Sequence, residues 1–106
     1  MKKQYSSKQR KIHKLKRINC VLGQKRKLLE NSLHFEYEVW KNTHVAQERY
    51  NRCFEGVLNS CARIIRNDLN NLNKVSEQIG KNSAKIQRLR TQIQQEKKLN
   101  EYSNCT

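Results

Sequence analysis

Apolar residues recur at seven-residue intervals through the second half of the chain. This series consists of Leu58, Ile65, Leu72, Ile79, Ile86 and Ile93. If these are the a positions of a heptad, the d positions three residues later are Cys61, Asp68, Val75, Asn82, Leu89 and Glu96. Six unbroken apolar a positions, four of them β-branched Ile, are typical of a coiled-coil helix. The pattern therefore predicts a long helix whose a and d residues form one heptad seam.

The same heptad frame extends backward through a more polar stretch. It places Leu33, Trp40, Gln47 and Phe54 at d positions and Tyr37, His44 and Asn51 at a positions. The chain contains no proline, and Asn31 or Ser32 is a suitable N-cap. The frame thus predicts one continuous helix over about residues 33–99, on the order of 90 Å long at 1.5 Å per residue.

A helical hairpin is the alternative, with its bend near residues 67–73 or at Gly80. Residues 67–73 include four Asn and one Asp, whose side chains compete for backbone hydrogen bonds, and glycine costs a helix interior about 1 kcal/mol relative to alanine. The a positions pass through both places without a change of phase, which favours the continuous helix. The predicted fold class is all-α: a long coiled-coil helix preceded by a basic, largely disordered arm.

An aromatic segment lies at the start of the predicted helix. Residues 33–39 alternate apolar and polar side chains, as a half-buried strand does, but no other segment offers a partner strand. Five of the seven aromatic residues fall within 20 residues, namely Phe35, Tyr37, Trp40, Tyr50 and Phe54. We therefore expect a helix here too, and a contact with a second protein.

Charge divides the chain unequally. Residues 1–29 carry eleven Lys and Arg and no acidic residue, whereas the other 77 residues carry twelve basic and nine acidic residues. Ile, Leu, Val and Phe number only 24, too few for a large core at this net charge. We expect a basic arm at 1–29, a coiled-coil segment at 30–100 and a short tail at 101–106.

A run of bases without acids is typical of a segment that binds a polyanion or a nuclear import receptor. The candidate residues are Lys8, Arg10, Lys11, Lys14, Lys16, Arg17, Lys25, Arg26 and Lys27. The clusters at 16–17 and 25–27 resemble the two halves of a bipartite nuclear localisation signal. The predicted location is the nucleus, with the cytosol as the alternative.

Polar residues within the seam predict a partner of different sequence. Two copies of Asp68 facing each other at d positions would repel, so a heterotypic partner that supplies Lys or Arg is expected, unless the helices splay at this point. The expected partner-helix interface consists of Leu33, Tyr37, Trp40, Phe54, Leu58, Cys61, Ile65, Leu72, Val75, Ile79, Ile86, Leu89 and Ile93.

Catalytic chemistry is not expected. The three His share no motif, the four Cys are not at the spacing of a zinc site, and the three Gly are isolated. No apolar run is long enough for a membrane span, and we expect no cofactor, metal or small-molecule substrate. The sequence predicts a non-enzymatic coiled-coil subunit of a chromatin- or spindle-associated complex. The alternative is a nucleic-acid-binding protein that dimerises through the coiled coil.

Overall fold

A computed structural model describes residues 6–104, which form two long α-helices. Helix α1 spans Ser7–Tyr50 and helix α2 spans Glu55–Asn104, with residues 51–54 between them. The described residues contain no strand, and the alternating segment 33–39 lies inside α1. The all-α prediction is therefore confirmed.

Helix α1 begins at a capping box. The Ser6 hydroxyl accepts a hydrogen bond from the Gln9 backbone N–H at 3.2 Å, and the Gln9 side-chain oxygen accepts one from the Ser6 N–H at 3.0 Å. These two bonds satisfy donors that a helix start leaves without partners. The prediction of a largely disordered arm at 1–29 is wrong for residues 7–29, which are helical; residues 1–5 lie outside the described part. The N-cap is Ser6 and not Asn31 or Ser32.

Helix α1 ends in a Schellman motif at Asn51. This residue has a φ of 50°, in the left-handed region, and the Arg52 N–H donates to the Gln47 carbonyl at 3.3 Å. The Gln47 side-chain oxygen also accepts a hydrogen bond from the Phe54 N–H at 3.1 Å, just before α2 begins. The predicted continuous helix over 33–99 is therefore wrong, because the chain turns at residues 51–54 and Asn51 forms the turn instead of a seam position.

Two helices joined by a turn agree with the alternative of a helical hairpin, but the two bends predicted for it are wrong. Helix α2 continues through residues 67–73 and through Gly80, which has no positive φ. Helix packing overrides the weak preference of the Asn residues for turns, because Leu72 within this segment and Val75 just after it face inward.

Contacts divide the chain into two units. Unit 1 comprises Met1–Gly23 and Glu77–Thr106, and unit 2 comprises Gln24–Ser76. Each unit pairs a segment of α1 with a segment of α2. The boundaries expected at 29/30 and 100/101 fall inside α1 and α2, respectively.

Unit 1 contains an aliphatic cluster. Ile12 of α1 and Ile86 and Leu89 of α2 are buried together, with Leu15 and Ile93 packed against them. Lys8 forms an ion pair with Glu96, and Asn19 lies beside Asn82. Residue numbers thus fall along α2 as they rise along α1, so the paired segments are antiparallel.

Unit 2 is also an antiparallel pair. Glu36 of α1 lies beside Cys61 of α2, and Ser32 contacts Asp68 further from the turn. Cys61 and Val75 are buried in this unit.

The inward residues of α2 follow the heptad. All twelve a and d positions from 58 to 96 are buried or half-buried except Glu96. In α1 the inward residues are Lys8, Ile12, Leu15, Asn19, Leu22, Leu29, Leu33, Glu36, Trp40, Thr43 and Gln47, with exposed Arg26 completing the register. The frame extended from α2 therefore places Leu33, Trp40 and Gln47 correctly. It fails at Tyr37 and His44, which are exposed, because the turn resets the register.

Candidate interaction surfaces

Each helix has a flank made of the residues that directly precede its inward residues. We call this the leading flank, and the residues directly after inward residues the trailing flank. Successive residues rotate by about 100°, so each flank stays on one side of the seam. Reversing one helix brings the two leading flanks to the same side. Unit 2 shows this arrangement, because one groove is lined by Val39, Asn42 and Ala46 of α1 and by Val57 of α2.

The leading flank of unit 2 combines apolar residues with polar and basic ones, and its polar and basic members are Lys25, Ser32, Asn42, Ser60, Asn67, Asn71 and Lys74. Its apolar residues lie on both helices. On α1 it carries Leu28, Phe35, Val39 and Ala46, and on α2 it carries Val57 and Ile64. Leu28 is 70% exposed, Phe35 64% and Val57 48%. A single pair of helices has no second layer to cover these side chains, so they remain in contact with water.

The trailing flank of unit 2 carries Tyr37 and His44 of α1, whose rings contact the inward ring of Trp40. Tyr37 stacks on Trp40 with ring centroids 5.9 Å apart, and Trp40 meets the His44 ring edge-on at 4.4 Å. A shallow hollow here is lined by Tyr37, Trp40, Ala62 and Leu69. Tyr37 therefore lies outside the helix seam, and its contact with a second protein stays a prediction.

The candidate polyanion-binding residues all lie on α1. Lys8 is half-buried and paired with Glu96. The other eight are exposed, and Lys25, Arg26 and Lys27 belong to unit 2. These candidates do not include the bases that α2 contributes to unit 1, among them Lys81, Lys85 and Arg88, because the sequence gives no sign that the two segments lie side by side.

Asn82 forms the centre of a polar network within unit 1. It is 6% exposed, and its amide nitrogen donates to the Asn19 side-chain oxygen at 3.0 Å. The Asn82 oxygen accepts from Gln78 at 2.9 Å, and the Asn19 amide donates to the Ser83 hydroxyl at 3.3 Å. The buried Asn82 amide has a hydrogen-bond partner in just one alignment of the two segments. This hydrogen bond therefore fixes their register.

Asp68 also has its partner within the chain. The Ser32 hydroxyl donates to its carboxylate at 2.9 Å, and α2 remains helical here. The alternative that the helix splays or frays at Asp68 is therefore wrong for α2, which stays helical, whereas a base supplied by another chain stays a prediction.

Cys61 is a buried thiol next to a carboxylate. Burial raises the pKa of Cys61, and the charge of Glu36 and its hydrogen bond with the thiol raise that pKa further. A raised pKa lowers the fraction of reactive thiolate at neutral pH. Cys20 and Cys53 are free and exposed.

The predicted interface residues of α2 face α1. Leu58, Cys61, Ile65, Leu72 and Val75 do so within unit 2, and Ile79, Ile86, Leu89 and Ile93 do so within unit 1. The structure thus brings the seam residues together inside one chain. Their contact with a second protein stays a prediction.

Within residues 6–104, no three His, Cys, Asp or Glu side chains are grouped so that they could hold a metal ion. Neither of the two described helices is long and apolar enough to cross a membrane. No protein-family model, curated protein or solved structure matches the chain.

Proposed function

We propose that this chain is a non-enzymatic helical subunit that docks a helical protein of different sequence on the leading flank of unit 2. The observation that carries the proposal is the exposure of Leu28, Phe35, Val57 and Ile64 on one side of an already paired seam. Apolar side chains that stay exposed on one side of a folded helix pair are typical of a protein interaction site.

The spacing of the flank favours a helix as the occupant. The apolar positions 28, 35, 39 and 46 of α1 recur at steps of seven, four and seven residues, which is compatible with a second seam beside the first. The apolar members are Leu28, Phe35, Val39 and Ala46, with Ser32 and Asn42 between them. A partner helix laid along this row would bury the exposed side chains.

Charge favours a partner of different sequence. A second copy would bring another net charge of +14 to the assembly, whereas an acidic helix would offset the charge already present. The basic residues of the chain then contact an acidic surface in the same complex. A nuclear location, with chromatin or spindle as the setting, is part of this proposal, and the cytosol is the alternative.

The test compares two matched substitutions. Val57→Asp places a charge on the leading flank, whereas Val45→Asp places one on the outer face of α1, where the side chain is 54% exposed. Tagged wild-type chain is captured from its own cells with nuclease and high-salt washing, and each retained protein is then purified and titrated against both variants. We expect a helical partner that binds Val45→Asp like wild type and loses at least tenfold in affinity, about 1.4 kcal/mol, with Val57→Asp.

Two results would contradict the proposal. One is a partner that binds both variants equally, which would place its site elsewhere. The other is a chain that dimerises alone in sedimentation equilibrium and dissociates on Val57→Asp, which would make a second copy the occupant. The location is tested separately, by imaging a fluorescent fusion with and without Lys16→Gln and Arg17→Gln.

A nucleic-acid-binding protein is the second candidate function. It is favoured by the exposed bases that unit 1 carries on both helices.

A further inference from the structure

We infer that the leading flank of unit 1 binds the phosphate backbone of double-stranded nucleic acid. This inference specifies the acidic surface that the proposed function leaves open, and it rests on that function only for its setting. The site is built from both helices, so it differs from the basic arm expected from sequence.

The leading flank of unit 1 is basic and contains no acid. On α2 it consists of Gln78, Lys81, Lys85, Arg88, Gln92 and Gln95. On α1 it consists of Ser7, Lys11, Lys14, Ile18 and Val21. All three bases of α2 and both of α1 are exposed. Successive bases on α2 lie about 6 and 4.5 Å apart along the axis.

Packing holds these bases on a rigid support. Lys14 directly precedes Leu15, and Lys85 and Arg88 directly precede Ile86 and Leu89, so the bases flank the buried aliphatic cluster. The Asn19–Asn82 hydrogen bond fixes the register of the two segments nearby. Because packed helices already hold these charges in place, binding a ligand with a regular charge spacing costs little conformational entropy.

The excess of positive charge in unit 1 favours an anionic ligand at this flank. The described part of unit 1 carries twelve Lys and Arg and three Glu. Of the three, Glu96 is paired with Lys8 across the seam, and Glu77 and Glu101 lie off the leading flank. Like charges this close destabilise the folded chain, and a polyanion would relieve that repulsion.

Side-chain chemistry favours phosphate over an acidic protein. The α2 part of the flank contains only Lys, Arg and Gln, all of which donate hydrogen bonds to phosphate oxygens. The flank has no aromatic residue of the kind that dominates the binding energy of protein interfaces, and its two exposed aliphatic residues, Ile18 and Val21, both lie on α1. Tyr102 is the one Phe, Tyr or Trp in residues 6–23 and 77–104. The bases of a single strand would therefore find few aromatic side chains to stack on. A duplex backbone fits these features.

The test compares two triple variants of α2 that remove the same charge. Lys81→Gln/Lys85→Gln/Arg88→Gln neutralises the leading flank, whereas Arg90→Gln/Lys97→Gln/Lys98→Gln neutralises the trailing flank and outer face. Binding of the full chain to 20-base-pair DNA and RNA duplexes is measured by fluorescence anisotropy from roughly 50 to 200 mM salt, the range over which phosphate contacts weaken most visibly. Circular dichroism confirms that each variant is folded.

We expect the leading-flank variant to shift the slope of log K against log salt toward zero by about 2 to 3 on DNA, because each lost phosphate contact removes about 0.9. The control variant should shift it by less than about 1. The pair Lys11→Gln/Lys14→Gln should also weaken binding more than Lys16→Gln/Arg17→Gln, because the flank belongs to both helices.

Three results would overturn the inference. Equal losses in the two triple variants would show diffuse attraction without a defined flank. If the wild-type chain binds no duplex at the lowest salt, double-stranded nucleic acid is not the ligand. Competition by polyglutamate as effective as by duplex would make an acidic protein the ligand. None of these results would affect partner docking on unit 2, which is measured with Val57→Asp.

Discussion

The leading flank differs in chemistry between the two units. In unit 2 it carries Leu28, Phe35, Val57 and Ile64, and in unit 1 it carries Lys81, Lys85 and Arg88. Unit 2 has nine basic and six acidic residues, whereas the described part of unit 1 has twelve and three. Heptad packing specifies only inward residues, so the flanks are free to differ, and this difference is where we locate function.

The largest difference expected between the units is in stability. Ile86→Asp puts a charge into the buried cluster of unit 1, while Ile64→Asp puts the same group on the exposed flank of unit 2. We expect a loss of about 4 kcal/mol or more for the first and about 1 kcal/mol or less for the second. Urea unfolding followed by circular dichroism measures both. Equal losses would show that Ile64 is covered in the folded chain.

The polar network of unit 1 should contribute less than the cluster. Asn82→Ala leaves Asn19 and Gln78 without their buried partner, and we expect a loss of about 1–3 kcal/mol. The double variant Asn82→Ala/Asn19→Ala should lose little more stability than Asn82→Ala alone, because both substitutions remove the same hydrogen bond. Additive losses in a double-mutant cycle would contradict the contact.

Gly80 offers a stabilising change in unit 1. A methyl group added there meets no atom within 4 Å and the backbone φ is not positive. We therefore expect Gly80→Ala to raise the free energy of unfolding by about 0.5–1 kcal/mol. Gly56→Ala, in the first turn of α2, is the control and should gain less. A loss of stability at Gly80 would mean that the helix is interrupted there after all.

Salt should stabilise the chain by a few tenths of a kcal/mol, because ions screen repulsion among the bases of unit 1. Thermal unfolding in increasing sodium chloride measures this effect. The leading-flank triple variant should respond less to salt than wild type. A melting temperature that falls with salt would mean that attractive ion pairs dominate.

The smallest effect concerns Cys61 and leaves the fold intact. Because burial and Glu36 raise its pKa, Cys61 should alkylate more slowly than exposed Cys20 and Cys53 at neutral pH. The folded state binds the thiol proton more tightly than the unfolded state does. This contribution to stability is therefore lost as pH rises above the ordinary value of 9.0. Mass spectrometry of iodoacetamide-treated protein gives the rates, and equal rates would contradict burial.

Sequence predicts the helices well and the turn poorly. The inward residues of α2 follow from periodicity alone, since side chains seven residues apart stay on one face. Asn51 is the residue that periodicity misplaces. Asn is the residue other than Gly that most readily adopts the left-handed conformation at a helix end, and that preference was the available signal.

The helical state of residues 7–29 and the partners of the polar seam residues were harder to predict. Charge repulsion predicts an extended arm, but the capping box at Ser6 and the packing of Ile12 and Leu15 outweigh it. The pairing of Asp68 with Ser32 depends on which residues the turn brings together, and no local pattern contains that information. The basic flank of unit 1 was missed for the same reason, because it draws on both helices.

The most direct test of antiparallel pairing within one chain uses the Lys8–Glu96 ion pair. A carbodiimide joins an amine to a carboxylate only where the two are in contact. An equal mixture of ¹⁴N- and ¹⁵N-labelled protein is treated and the cross-linked peptides are analysed by mass spectrometry. We expect a Lys8–Glu96 link whose two peptides carry the same label. Absence of the link, or links of mixed label, would show that the seam is formed between chains and would contradict the folded-back pair of helices.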